Sequence, residues 1–177
     1  PRCFECGDIG FTVEKDGTVR ECWRRRAGAE HNDPAPAALI LRRSVENLRR
    51  RRVTVDPHVF LVASRLAKHT AERPAERDRI LENWFGHTHS PLRAFHKVIE
   101  TLRAEWLLPV ASRKSHPAGY WICSELDDFA EWVGRCKSAP ITQLTTIHRV
   151  ARANFPVFAE QLELEFWADL KAEDVEV

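Results

Sequence analysis

Residues Ser90 to Cys123 read SPLRAFHKVIETLRAEWLLPVASRKSHPAGYWIC, and the change of period inside this stretch decides the fold. Ser90-Pro91 is a cap followed by a first-turn proline, a helix start. Leu92, Phe95, Ile99, Leu102 and Trp106 then recur at spacings of 3, 4, 3 and 4, the apolar stripe of an amphipathic helix. The opposite face carries Arg93, Lys97 and Thr101, with Ala94 and Ala104 beside them. Two short strands follow, 107–112 and 119–124, joined by the polar and basic loop RKSHPA.

Upstream, Asp56-Pro57 starts a helix over about 57–70, and Arg73-Pro74 restarts the chain before a second helix reaching about Phe85. Ile80, Leu81, Trp84 and Phe85 form its expected buried stripe, and Gly86 to His89 are a turn. Helix, helix, short turn, helix and basic-tipped hairpin is the order of a winged helix–turn–helix. Small and cationic residues opposite a core stripe let a helix enter the major groove, about 12 Å wide. The first turn of such a helix reaches base edges, here Thr88, His89, Ser90 and Arg93, with Lys97 and Thr101 further along. Arg113, Lys114 and His116 at the hairpin tip are placed for phosphate or the minor groove.

The segment 90–123 resembles the winged-helix domains of bacterial and phage regulators and replication proteins. In these, a recognition helix leads into a hairpin whose second strand carries Gly-Tyr-aromatic. The resemblance covers roughly 56–137 and implies duplex-DNA reading by Ser90, Arg93 and Lys97, with Arg113 and Lys114 at the wing tip. Glu100 and Glu105 blunt the positive field of the same helix, so a protein-docking winged helix is the rival expectation.

The N-terminus carries a separate signal. Cys3 and Cys6, with Gly7 after them, form a C-x2-C knuckle, and Cys22 and His31 complete a pattern of C-x2-C-x15-C-x8-H. Thiolates and a neutral imidazole are the ligands of a closed, structural zinc site, which has no open position for catalysis. Asp33, His58 or another residue brought in by the fold are the alternatives to His31. Between the thiols, Phe11, Val13 and Val19 fall in two short strands around Lys15-Asp16-Gly17-Thr18, where Asp-Gly suits a tight hairpin turn. So short a hairpin lacks a core and must be pinned. The stretch CFECGDIGFTVEKDGTVREC resembles the zinc-ribbon beginnings of bacterial and phage replication proteins, including helicase loaders. It departs from them in lacking a fourth cysteine.

The fold class expected is mainly α with small β: a zinc-ribbon module (1–36), a basic linker helix (37–55), a winged helix–turn–helix (56–137) and an acidic C-terminal helical extension (138–177). A helix from Ser124 with Asp127 as a capping box, running to about Lys137, and helices over 140–155 and 157–172 complete the reading. Net charge is +1, yet Arg24, Arg25, Arg26, Arg42, Arg43 and Arg49, Arg50, Arg51, Arg52 crowd the first third, while residues 159–177 hold seven acidic residues and one lysine. A basic front suits a polyanion. The acidic helix with Phe166 and Trp167 suits a homodimer contact or a replication-protein partner.

Five cysteines are an odd number, which favours reduced thiols and a cytoplasmic setting, and no hydrophobic signal segment opens the chain. Cys123 and Cys136 read as core residues. No apolar run approaches the roughly 20 residues of a membrane span. No P-loop, GxGxxG or G-x-S-x-G motif is present. His87 and His89 flank a turn, His148 reads as a packed histidine, and Asp127, Asp128 and Glu131 read as a solvated cap. The expectation is a DNA-binding protein of replication or transcription regulation and not an enzyme.

Overall fold

The computed structural model describes residues 10–22, 35–86, 88–136 and 141–162. The chain is mainly helical with two small antiparallel sheets. Strands β1 (Phe11–Val13) and β2 (Val19–Glu21) pair Phe11 with Glu21 and Val13 with Val19. The turn forms where Asp16-Gly17 requires it: Gly17 takes φ +81°, and the Asp16 carboxylate accepts from the Thr18 N–H and hydroxyl, both at 2.9 Å. A Cβ on Gly17 would lie 2.8 Å from the Val55 carbonyl oxygen, so the turn sits hard against the segment before the next helices.

Helix α1 (Pro36–Arg50) follows. The expectation of a linker helix needs revising, because Ala37, Ala38, Leu41, Val45 and Leu48 are all buried in the main core. Phe11 belongs to the same core, with the Arg42 guanidinium 5.5 Å from its ring centre. The hairpin is therefore pinned partly by apolar packing on α1.

Helix α2 (Pro57–Leu66) starts as expected: the Asp56 carboxylate accepts from the N–H groups of His58 and Val59 at 2.7 and 3.2 Å, a cap contributing about 1 kcal/mol. It stops at Leu66, short of the expected end. Helix α3 (Arg77–Phe85) and helix α4 (Pro91–Ala104) pack on one another, and α4 also packs on α2. The core face of α4 is Phe95, Val98, Ile99 and Leu102, with Trp106 buried just beyond. Leu92, expected in that stripe, is 45 % exposed. Val98 takes the buried place instead, because 95, 98, 99 and 102 share one face of the helix.

Strands β3 (Val110–Arg113) and β4 (Gly119–Ile122) pair Val110 with Ile122 and Arg113 with Gly119. A single residue between α2 and α3 joins this sheet. Ala75 N–H donates to the Tyr120 carbonyl at 2.8 Å, and Tyr120 N–H returns to Ala75 at 2.9 Å.

Because side chains alternate across a strand, Val110 and Ile122 enter the main core while Ala111 and Trp121 enter a second one. That second core is built by α5 (Leu126–Arg135), α6 (Ile141–Asn154) and a further helix, α7 (156–162), through Phe129, Trp132, Ile147, Val150 and Ala159. Helices α6 and α7 are thus packed on the back of the β3–β4 hairpin. The expected Ser124–Asp127 capping box does not form: Glu125 stands at the cap position, and no side chain bonds the free N–H groups.

The corner after α4 is clamped from two sides. The Ser44 hydroxyl of α1 donates to the Trp106 carbonyl at 2.6 Å, and the Asn154 amide of α6 donates to the Leu107 carbonyl at 2.7 Å. These bonds fix the direction in which α4 hands over to the hairpin. Among the described residues no helix is long and apolar enough to cross a membrane.

Candidate nucleic-acid interface

The buried stripe of α4 dictates which of its residues face water. Arg93, His96, Lys97 and Glu100 are exposed and Thr101 is half-buried. Thr88 is held in the preceding turn, its N–H and hydroxyl both donating to the Phe85 carbonyl at 2.9 and 2.8 Å. His89 and Ser90 are exposed, and the Ser90 side chain makes no cap bond although it holds the cap position. The first turn of α4 therefore presents His89, Ser90 and Arg93 on one exposed edge. His87 lies outside the described residues.

An open groove runs between this helix and the hairpin, with Leu92 and His96 on one wall and Ser112, Lys114 and Tyr120 on the other. Lys114, Ser115 and His116 are exposed at the tip. Arg113 is not among the freely presented cations. Its Nε donates to the Pro117 carbonyl at 3.1 Å, its Nη2 donates to the Ala71 carbonyl at 2.6 Å, and its guanidinium stands 5.7 Å from the Trp121 ring centre. Its work in the fold is to tie the hairpin tip to the loop between α2 and α3. Nothing in the sequence distinguishes it from Lys114, since the partner carbonyl is 42 residues away.

Acidic neighbours reduce the charge of the groove. Glu76 and Asp78 stand at the start of α3, paired with Arg79 and Arg77 at 3.0 and 3.1 Å. Both pairs are well exposed, so each contributes little to stability.

Arg49, Arg50, Arg51 and Arg52 are exposed around the C-terminal end of α1, where cations offset the negative end of the helix dipole. Arg51 borders a small cleft with Glu105, Trp106 and Leu107. That places it beside the C-terminal end of α4, roughly 18 Å along the helix from Arg93 at 1.5 Å per residue. The arginine run and the first turn of α4 are two patches rather than one. Arg24, Arg25 and Arg26 lie outside the described residues.

Of the thiol and imidazole set, Cys3, Cys6 and His31 lie outside the described residues, as does Asp33. Cys22 is buried at the end of β2, and its N–H donates to the Gly10 carbonyl at 3.0 Å. The chain therefore leaves the hairpin beside the point where it enters. His58 is committed elsewhere, with Nε2 3.2 Å from the Trp84 carbonyl oxygen and its ring edge-on to Phe85 at 4.9 Å. Cys123 is fully buried, and burial first, then the nearby Asp128 carboxylate, pushes its thiol up to about 12. It is an unreactive core thiol. Cys136 is half-buried, its thiol also raised by burial.

No family model, curated protein or solved structure matches this chain.

Proposed function

We propose that the chain is a non-catalytic duplex-DNA-binding protein whose residues 56–137 act as a winged helix–turn–helix. The observation that carries this reading is the exposed edge of α4, which presents Arg93 and Lys97 to solvent beside His96, itself across a groove from Lys114 at the hairpin tip. The one-residue bridge at Ala75 supports the arrangement, since it ties the segment between α2 and α3 to the edge of the hairpin at Tyr120. On this reading α4 enters the major groove with Ser90 and Arg93 toward base edges. Lys97 and Lys114 neutralise phosphates, and the arginines of α1 add backbone contacts beyond them. A role in replication or transcription regulation follows from the same chemistry.

Phosphate contacts release counterions, so the logarithm of affinity falls with the logarithm of salt by about 0.9 per contact. With Lys97, Lys114 and at least one arginine of α1 on phosphates, the slope is expected to be on the order of −3 or steeper. Fluorescence anisotropy with a random-sequence duplex, titrated from low to physiological salt, measures it. A flat salt dependence, or no binding at low salt, sinks the proposal.

The exposed Leu92 at the start of α4 favours a second reading, in which this face docks a protein such as a replication factor. Selection from a random duplex library separates the two: an enriched motif supports DNA reading, and recovery of a protein partner without DNA supports the adaptor. The residues beyond 162, expected to form a dimer contact, lie outside the described part.

We further propose a structural zinc held by Cys3, Cys6, Cys22 and His31. The buried Cys22 beside Gly10 supports it, because the knuckle residues join the hairpin at that end. Three thiolates and one imidazole form a closed tetrahedral set whose role is to hold the ribbon together. Metal analysis of chain produced with zinc is expected to give about one zinc per molecule, falling severalfold in Cys22→Ser because a serine hydroxyl is a poor zinc donor. Equal zinc content in both proteins would remove Cys22 from the set.

A further inference from the structure

The fold carries the C-terminal end of α6 to the arginine run of α1. Arg43 and Arg51 line one side of a small cleft, and Ala153 and Asn154, far later in the chain, line the other. The Asn154 amide is held there by its bond of 2.7 Å to the Leu107 carbonyl, and Leu107 borders the same cleft. Arg43, Arg49, Arg50, Arg51 and Arg52 are all exposed, with Val53 exposed beside them. Among the described residues none of these guanidiniums forms an ion pair, although Glu105 also lines the cleft. Arg42, by contrast, is paired with Glu46 at 3.0 Å. Cations crowded in this way attract a chain of negative charges.

Residues 163–177 have the complementary composition: Glu163, Glu165, Asp169, Glu173, Asp174 and Glu176 against a single Lys171. Their point of attachment is close to the cleft. Only Phe155 and helix α7, about 10 Å long at 1.5 Å per residue, separate Asn154 from Glu163. A segment of 15 residues spans about 50 Å when extended and about 22 Å as a helix. Its length is sufficient in either conformation. Being joined to the same chain, it meets the arginines at an effective concentration on the order of millimolar. We propose that residues 163–177 dock on the arginine surface of α1 of their own chain, their carboxylates pairing with Arg43 and with Arg49 to Arg52. An arginine fork takes a carboxylate by two parallel hydrogen bonds. Seated there, the acidic segment occupies the guanidiniums that a phosphate backbone would take, and a nucleic acid engages them only by displacing it. The inference goes beyond the DNA-binding reading, and its test contains no nucleic acid.

The full chain is treated with phenylglyoxal, which modifies accessible guanidiniums, and the rate at each arginine is followed by mass spectrometry. The comparison is between low salt and about 1 M salt, where screening confines charge effects to about 3 Å. Raising the salt is expected to speed modification of Arg49 to Arg52 at least about threefold, the effect of releasing a few exposed ion pairs. Arg93, exposed on α4 beyond the far end of that helix from the arginine run, should keep its rate. A variant carrying Glu163→Gln, Glu165→Gln, Asp169→Asn, Glu173→Gln, Asp174→Asn and Glu176→Gln is expected to show the fast rates already at low salt. The wild-type salt comparison needs no variant and keeps the test decisive if that protein fails to fold. Rates at Arg49 to Arg52 that respond neither to salt nor to the six changes would overturn the proposal. An equal rise at Arg93 would trace the effect to net charge and would overturn it as well. Protection that is lost on diluting the protein would assign the acidic segment to a second copy and overturn docking within the chain.

Discussion

Gly119→Ala is expected to lower stability by about 3–5 kcal/mol, more than any surface change in the molecule. Gly119 sits at φ +151°, a conformation that L side chains rarely adopt. A Cβ there would stand 2.4 Å from the Ala75 carbonyl oxygen and 2.8 Å from its carbonyl carbon, with Pro74 Cβ at 3.0 Å. These are mainly backbone atoms, so no rotamer change relieves the overlap. The alternative is to separate β4 from Ala75 and break the two bonds of 2.8 and 2.9 Å between Ala75 and Tyr120. Either route also disturbs Tyr120, whose ring packs edge-on against the buried Phe95 at 4.8 Å. Each kcal/mol is worth about 2–4 °C in a chain of this size, so a drop of roughly 10 °C in the thermal midpoint is the expected reading. Ala118→Val, one residue away and exposed, is the control and is expected to change stability by less than about 0.5 kcal/mol. A Gly119→Ala midpoint equal to wild type would mean that the Ala75 bridge is dispensable.

How much of this fold is legible in the sequence follows from the range of each signal. The Asp16-Gly17 turn, the Asp56 cap and the periodicity of α4 are local: a few consecutive residues contain the whole physical cause. The Ala75 bridge is one residue long and has no pattern to show. Leu92 satisfies the helical spacing, but periodicity places residues on a face without saying how far the core extends along it. At the first turn of α4 the core has ended, so Leu92 emerges into the groove. Arg113 and Arg103 illustrate the same limit for charge. Composition marks both as cations, yet one is consumed by carbonyls at Ala71 and Pro117, and the other is buried against Trp132. The partners are set by tertiary packing, which a spacing rule cannot reach. The buried face of α1 is written in Ala37, Leu41, Val45 and Leu48, but the arginines between and after them mark only the solvated side.

Replacing Arg93 and Lys97 together by alanine is expected to weaken duplex binding on the order of 100-fold while leaving the fold unchanged, if α4 is the reading helix. Both residues are exposed on an α-helix, where alanine is the best helix former, so the stability change should stay within about 0.5 kcal/mol. Removing a base-edge hydrogen bond costs about 1–3 kcal/mol, and removing a phosphate partner reduces the salt slope by about one. The double change removes one interaction of each kind on the proposed geometry. The informative control is Arg49→Ala with Arg50→Ala, which removes the same charge near the far end of α4. If the patches differ as proposed, the control weakens all duplexes alike and leaves site preference intact, whereas the α4 pair loses preference as well. Equal weakening by both pairs, with preference unchanged in each, would mean that the chain binds duplexes through net charge and that α4 reads nothing. Full binding by the α4 pair would move the protein to the docking interpretation, with Leu92 as the residue to change next.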